Sequence, residues 1–164
     1  MVELRKISIL DENIKECIEL DVTSEQRHFI AHNAISLGQA YAFNARYNES
    51  GNHAVPYSIY ADGIMVGFIM YSFTKKGHVD NTYGEDCYYF WKFMIDAKQQ
   101  GKGHGAKALT LLLDEIRQFP HGKAEYCYTS YERTNVVAKK LYESFGFVEV
   151  KNDEGCDIVL RLKL

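Results

Sequence analysis

WKFMIDAKQQGKGHGA, residues 91–106, joins an apolar run to a glycine-rich turn and the opening of a helical pattern. The run from Cys87 to Ile95 is aromatic and apolar, reads as a strand and stops at Asp96. Ala106 to Ile116 has helical apolar spacing and ends before Pro120. Strand, glycine turn and helix in that order make an anion cradle. The first amides of a helix lack internal partners, and the helix dipole favours negative charge there. Gly101, Gly103 and Gly105 let the backbone approach a phosphate and adopt positive φ, and Lys102 and Lys107 add positive charge.

Two common phosphate motifs do not fit. A P-loop needs Gly-Lys-Ser/Thr, but the chain has Gly105-Ala106-Lys107-Ala108, with no hydroxyl for magnesium. The dinucleotide pattern GxGxxG fails at Ala106 counted from Gly101, and at Ala108 counted from Gly103. Gln-x-x-Gly-x-Gly does fit, as Gln100, Gly103 and Gly105. It is similar to the pyrophosphate-binding signature of the GNAT superfamily of N-acetyltransferases.

Outward from this segment the chain reads as alternating strands and helices. Val2 to Ser8 is a first strand, and Asp11 or Asn13 caps a helix to about Leu20. Ser24 to Tyr47 reads mostly as one helical region, with Phe29, Ile30, Ala34, Leu37, Ala40 and Tyr41 at helical spacing. Tyr57–Tyr60 and Val66–Phe73 are strands joined by an Asp62-Gly63 turn, with Pro56 at the entrance to the first. After the cradle helix come a strand over 124–129 and a helix over 134–145 that Gly146 ends. A closing hairpin, 147–150 and 157–162, turns around Asn152–Gly155. The order is β-α-α-β-β-β-α-β-α-β-β. That order matches GNAT topology, and Asn135-x-x-Ala138-x-x-Leu141-Tyr142-Glu143-x-x-Gly146-Phe147 is a second motif in agreement. QRHFIAHNAISLGQAYA (26–42) and FWKFMID (90–96) resemble bacterial spermidine/spermine N-acetyltransferases.

Composition bounds the reading. The 164 residues are expected to form one domain, and 46% apolar with 25% charged residues suits a globular chain. A net charge of −3 and no basic run give nucleic acid nothing to recognise. No stretch reads as a signal peptide or a membrane span. Cys17, Cys87, Cys127 and Cys156 are widely spaced, as reduced thiols of a cytoplasmic protein would be. Six scattered histidines lack metal-ligand spacing, apart from His28 and His32, which could share a helical face without a third ligand.

The resemblance implies a mixed α/β fold with a mostly antiparallel sheet whose fourth and fifth strands splay. It implies acetyl-CoA as cosubstrate, a small primary amine as acceptor (a polyamine in the narrower family) and a possible homodimer. The cofactor would be held by Phe93, Met94 and Ile95 at the strand end, by 100–106 (Gln100, Gly101, Lys102, Gly103, His104, Gly105, Ala106), and by Asn135 and Tyr142. Seven residues separate Asn135 from Tyr142, so both lie on one helix face about 10 Å apart, beside an elongated ligand. Tyr142 would be the catalytic acid that protonates the departing thiolate.

An ammonium with a pKa of about 10 must lose a proton before it attacks. Related polyamine enzymes place a carboxylate on the fourth strand, where this chain has Trp91 beside Lys92. Either a different acid serves, with Glu25, Asp80, Glu85 and Asp86 as candidates, or water carries the proton; Glu25, Glu85, Asp86 and Trp91 are expected near the amine. Other amine acceptors, or an acyl-CoA sensor without catalysis, stay open on the sequence alone.

Overall fold

The computed structural model describes residues 1–7, 13–150 and 157–164. Its strands are β1 (Val2–Lys6), β2 (His53–Ala61), β3 (Ile64–Thr74), β4 (Cys87–Ile95), β5 (Tyr126–Glu132), β6 (Val148–Glu149) and β7 (Asp157–Lys163). Its helices are α1 (Asn13–Glu19), α2 (Asn33–Tyr47), α3 (His104–Ile116) and α4 (Val136–Ser144). The sheet order is β1-β2-β3-β4-β5-β7-β6, antiparallel throughout except for the parallel β4–β5 pair. This is the mixed α/β architecture and the element order expected from the sequence.

Alternating strand residues divide the core between two faces. One face packs Tyr71, Phe90, Tyr131 and Phe147 against Leu109, Leu112 and Ile116 of α3 and Tyr142 of α4. The other packs Phe68, Met70, Met94 and Trp91 against Cys17 of α1 and Ala40 of α2. Asn33 ties the two helices of that second layer together: its side-chain amide donates to the Cys17 carbonyl at 2.8 Å.

The β4–β5 ladder is short. Cys87, Tyr88 and Tyr89 pair with Tyr126, Cys127 and Tyr128, and there the pairing ends. Two residues further on, β4 carries a bulge. Met70 pairs with Lys92 and Tyr71 with Phe90, so Trp91 is the extra residue of a bulge on β4. Side chains take over where the ladder stops: the Thr129 hydroxyl donates to Phe90 C=O at 2.9 Å, and the Tyr89 hydroxyl donates to Ser130 Oγ at 2.8 Å. Beyond them the strands part, as expected for the fourth and fifth.

Several boundaries differ from the sequence reading. The helical region over 24–47 is broken: a 3-10 turn covers Ser24–Gln26, bends follow, and α2 begins only at Asn33, capped by His32 Nδ1 accepting from Ala34 N–H at 3.2 Å. Phe29 and Ile30 are therefore not helical, and His28 and His32 do not share a helix face. Pro56 lies inside β2 instead of at its entrance. It sits just past the last β1 pair, Lys6↔Tyr57, and its carbonyl faces that side, accepting from Ile7 N–H at 3.3 Å, so the missing N–H costs the β3 ladder no bond. β5 runs on to Glu132 because β7 pairs with it as far as Glu132↔Asp157. The Asp11 cap, the Asn152–Gly155 turn and Cys156 lie outside the described residues. Cys17, Cys87 and Cys127 are buried and free, and among the described residues no helix is long and apolar enough to cross a membrane.

Candidate active site

A cleft of about 450 Å³ opens where β4 and β5 part. Its walls come from both core layers: Ala138 and Leu141 belong to the α3/α4 side, and Val22, Ile30 and Trp91 to the α1/α2 side. The cleft is thus lined from both faces of the sheet.

The glycine turn supplies the first element. A 3-10 turn over Ala97–Gln99 follows β4, capped by the Asp96 carboxylate accepting from Lys98 N–H at 3.0 Å. Gly101 and Gly103 then take φ of 76° and 77°, the left-handed region that glycine enters without cost, and Gly103 caps α3. The first helical bond of α3 runs from Lys107 N–H to Gly103 C=O at 3.3 Å, so the amides of His104, Gly105 and Ala106 have no partner within the helix. All three residues line the cleft. The imidazole Nδ1 of His104 is buried there without a hydrogen-bond partner. A Cβ on Gly105 would reach only ordinary contact with Phe93, Ile95 and Leu141, at 3.7–3.9 Å. Protein packing therefore does not demand glycine at 105.

The edge of β4 supplies the second element. Asp96 N–H donates to Val66 C=O at 2.9 Å, which sets the alternation of the β3–β4 ladder. By that alternation Met94 bonds toward β3, whereas the backbone groups of Phe93 and Ile95 turn into the gap. Of the three residues expected to offer backbone groups, Phe93 and Ile95 do so and Met94 contributes its side chain. The Ile95 carbonyl accepts from Gln100 Nε2 at 2.9 Å, and Gln100 also exchanges hydrogen bonds with Gln26. Gln100 therefore pins the turn to both β4 and the 24–26 segment.

The other predicted residues separate into those the cleft includes and those it does not. Asn135 lines it and caps α4, its Oδ1 accepting from Ala138 N–H at 3.1 Å. Tyr142 is 6% exposed, packed edge-on against Phe90 beyond the cleft-lining Leu141. Burial pushes its phenol well above the usual tyrosine range, with the Thr129 hydroxyl pulling the other way. Lys102 points away, its Nζ donating to Lys98 C=O and Gln99 Oε1. Trp91 lines the cleft, and its indole N–H is buried without a partner.

Glu25, Glu85 and Asp86 do not line the cleft. Glu25 accepts from its neighbour Ser24, and its own backbone N–H, then the Ser24 and Thr23 hydroxyls, hold its carboxyl low. Glu85 accepts from the Tyr128 hydroxyl at 2.7 Å, and Asp86 from Lys76 N–H at 2.8 Å, at the opposite end of β4. Asp80 faces solvent beside His78.

Sequence reading did not single out Gln26, Ser130 and Glu132, which also line the cleft. Among the described lining residues Glu132 is the single carboxylate. Its side chain is 29% exposed and bonds to the Thr134 hydroxyl, and His28 Nε2 lies 3.5 Å away. Lys92 stands across the cleft, its pKa lowered by burial. A second chamber of about 370 Å³ shares Val22, Ile30 and Met94 with the cleft and is otherwise walled by 20–33, with Asp21 paired to Arg27 at its edge.

The arrangement suits a ligand with an anionic end and an amide-bearing arm. Free amides and a buried imidazole would hold the anion, and a strand edge would receive the arm. A family model described as the acetyltransferase (GNAT) family matches residues 14–147. The chain is 29% identical over 142 residues to a spermine/spermidine N(1)-acetyltransferase of Bacillus subtilis (strain 168), covering 85% of this chain and 84% of that one. Its fold matches an aminoglycoside acetyltransferase, AAC(6')-Ib, in complex with coenzyme A, at a TM-score of 0.71 and 17% identity, covering 99% of this chain and 95% of that one. It also matches the PaiA N-acetyltransferase of Thermoplasma acidophilum in complex with coenzyme A, at 0.67 and 17%, covering 100% and 99%.

Proposed function

The chain belongs to the acetyltransferase (GNAT) family and uses acetyl-CoA, and from that premise we propose that it acetylates a primary amine of a small polyamine such as spermidine or spermine. The observation that carries the transfer is the cleft lined from both faces of the sheet, where the free amides at the start of α3 meet Trp91, Ser130 and Glu132. The narrower acceptor class rests on the spermine/spermidine relative, alike over most of both chains.

Acetyl-CoA supplies an activated acyl group as a thioester. In this reading the α3 amides of His104, Gly105 and Ala106 hold the pyrophosphate, and Gly101 and Gly103 shape the turn that presents them. Phe93 and Ile95 take the pantetheine arm as an added strand would, and their amides polarise the thioester carbonyl. Asn135 borders the arm. Tyr142, kept protonated by its burial, stands behind the cleft-lining Leu141 on the α3/α4 side and is the phenol that would donate to the departing sulfur. The amine enters from the α1/α2 side, where Trp91 offers an aromatic surface to a cation.

The test is amine-dependent thiol release from acetyl-CoA across spermidine, spermine, putrescine, lysine, a peptide and an aminoglycoside. Selective turnover of spermidine or spermine is the expected result. Preference for another amine would discard the polyamine while keeping the transferase.

A further inference from the structure

Direct transfer to an amine leaves one requirement unmet by the residues above: a group that removes the ammonium proton. The fourth strand offers Trp91 and Lys92 where a carboxylate would serve, and the acids of the 80–86 loop lie at the far end of β4. The cleft itself holds one carboxylate among its described residues, Glu132.

Its position suits the task. From the last paired residues, Tyr89↔Tyr128, four steps along β5 reach Glu132, and four ladder steps along β4, with Trp91 the extra residue of the bulge, reach Met94 between Phe93 and Ile95. Glu132 therefore stands across the splay at the level of the exposed β4 backbone. Its strand neighbour Tyr131 points into the α3/α4 core together with Tyr142. Strand alternation sends Glu132 to the opposite face, the α1/α2 side, from which the amine enters. The carboxylate is also oriented: the Thr134 hydroxyl and, at 3.4 Å, the Thr134 amide both donate to Oε1. That leaves Oε2 toward the 27–30 turn, and partial exposure gives a proton a way out to water. The charged or titratable groups around it include His28 on that turn, Lys92 across the cleft, and Tyr131 and Arg133 in its own segment.

We propose that Glu132 is the catalytic base, taking the proton of the acceptor ammonium. The freed nitrogen lone pair attacks the thioester carbon, a C–N bond forms and the C–S bond breaks. The thiolate leaves with the proton of Tyr142, the second amine proton passes to water as the amide forms, and water returns a proton to Tyr142 while Glu132 releases its own to solvent. Acid and base thus act from opposite faces of one opening in the sheet. The proposal rests on the transferase reading but not on the acceptor being a polyamine.

The experiment compares wild type, Glu132→Gln and Glu132→Asp on whichever amine wild type turns over best. Glu132→Gln should lose about 100-fold or more in kcat/KM at neutral pH, with acetyl-CoA Kd within about twofold of wild type. Its kcat/KM should then climb about tenfold per pH unit toward the amine pKa, because only the free base still reacts, while the wild-type profile stays flatter. Glu132→Asp should recover part of the loss. A Glu132→Gln enzyme within about threefold of wild type would overturn the assignment. So would a large loss whose pH profile runs parallel to wild type, since that would mark a structural role. A best substrate that is not a polyamine would overturn only the acceptor reading.

Discussion

Gly105 shows how a single residue can separate a ligand's demands from the fold's. It lies inside α3 with ordinary helical φ, and a methyl there would touch Phe93, Ile95 and Leu141 only at van der Waals distance. Gly105→Ala should therefore keep the fold and raise stability by up to about 1 kcal/mol, as alanine does in a helix. Acetyl-CoA affinity should nevertheless fall about tenfold or more, because the methyl stands where a phosphate would approach. Calorimetric titration beside a melting curve reads both, and unchanged affinity would remove the phosphate from this turn. Tyr142 tests the other end of the cofactor. Tyr142→Phe keeps the ring that packs on Phe90 and Phe147 and removes only the hydroxyl. The expected outcome is a loss of about 100-fold in kcat with acetyl-CoA Kd nearly unchanged; full activity would end the general-acid role.

At the scale of elements, the sequence was most legible where periodicity and glycine punctuation coincide. The strand Cys87–Ile95 has the limits that its apolar run suggested, and the turn before α3 follows from Gly101 and Gly103. The splay was expected from the resemblance, and the bulge at Trp91 lies two residues past the last β4–β5 pair. What stayed hidden was set by tertiary contacts. Phe29 and Ile30 keep helical spacing, yet they leave the helix to line the cleft, and spacing alone cannot tell a helix face from a cleft wall. Ser130 and Glu132 look like loop residues because a strand bordering an opening does not need apolar alternation. Glu85 and Asp86 misled for a different reason. They adjoin an aromatic strand in sequence, but β4 is nine residues long, and at about 3.3 Å per residue it carries them about 25 Å from the glycine turn. Their carboxylates instead bond to Tyr128 and Lys76.

At the scale of the molecule, the end of the sheet away from the cleft carries a pH dependence of its own. His53 on β2 and His121 after α3 stack with ring centroids 4.3 Å apart. Both are held below the usual histidine pKa of 6.5: His53 by burial and then Lys75, His121 by burial, His53 and Lys6, with Glu115 opposing. Below these folded values both rings charge against each other. The unfolded chain binds protons first as pH falls, so this contribution to stability is complete above about pH 6.5. It is lost as pH drops through the folded values. Melting temperature should decline from about pH 7 to about pH 5, and His53→Gln with His121→Gln should flatten that decline. An unchanged slope in the double variant would place the acid sensitivity elsewhere.

The most direct test of the whole account is to incubate the protein with acetyl-CoA and spermidine and follow free thiol together with the mass of the amine. Stoichiometric thiol release is expected, with spermidine carrying one acetyl group on a primary nitrogen. Thiol release with the amine unmodified, or acetyl-CoA binding with no transfer to any amine, would contradict it.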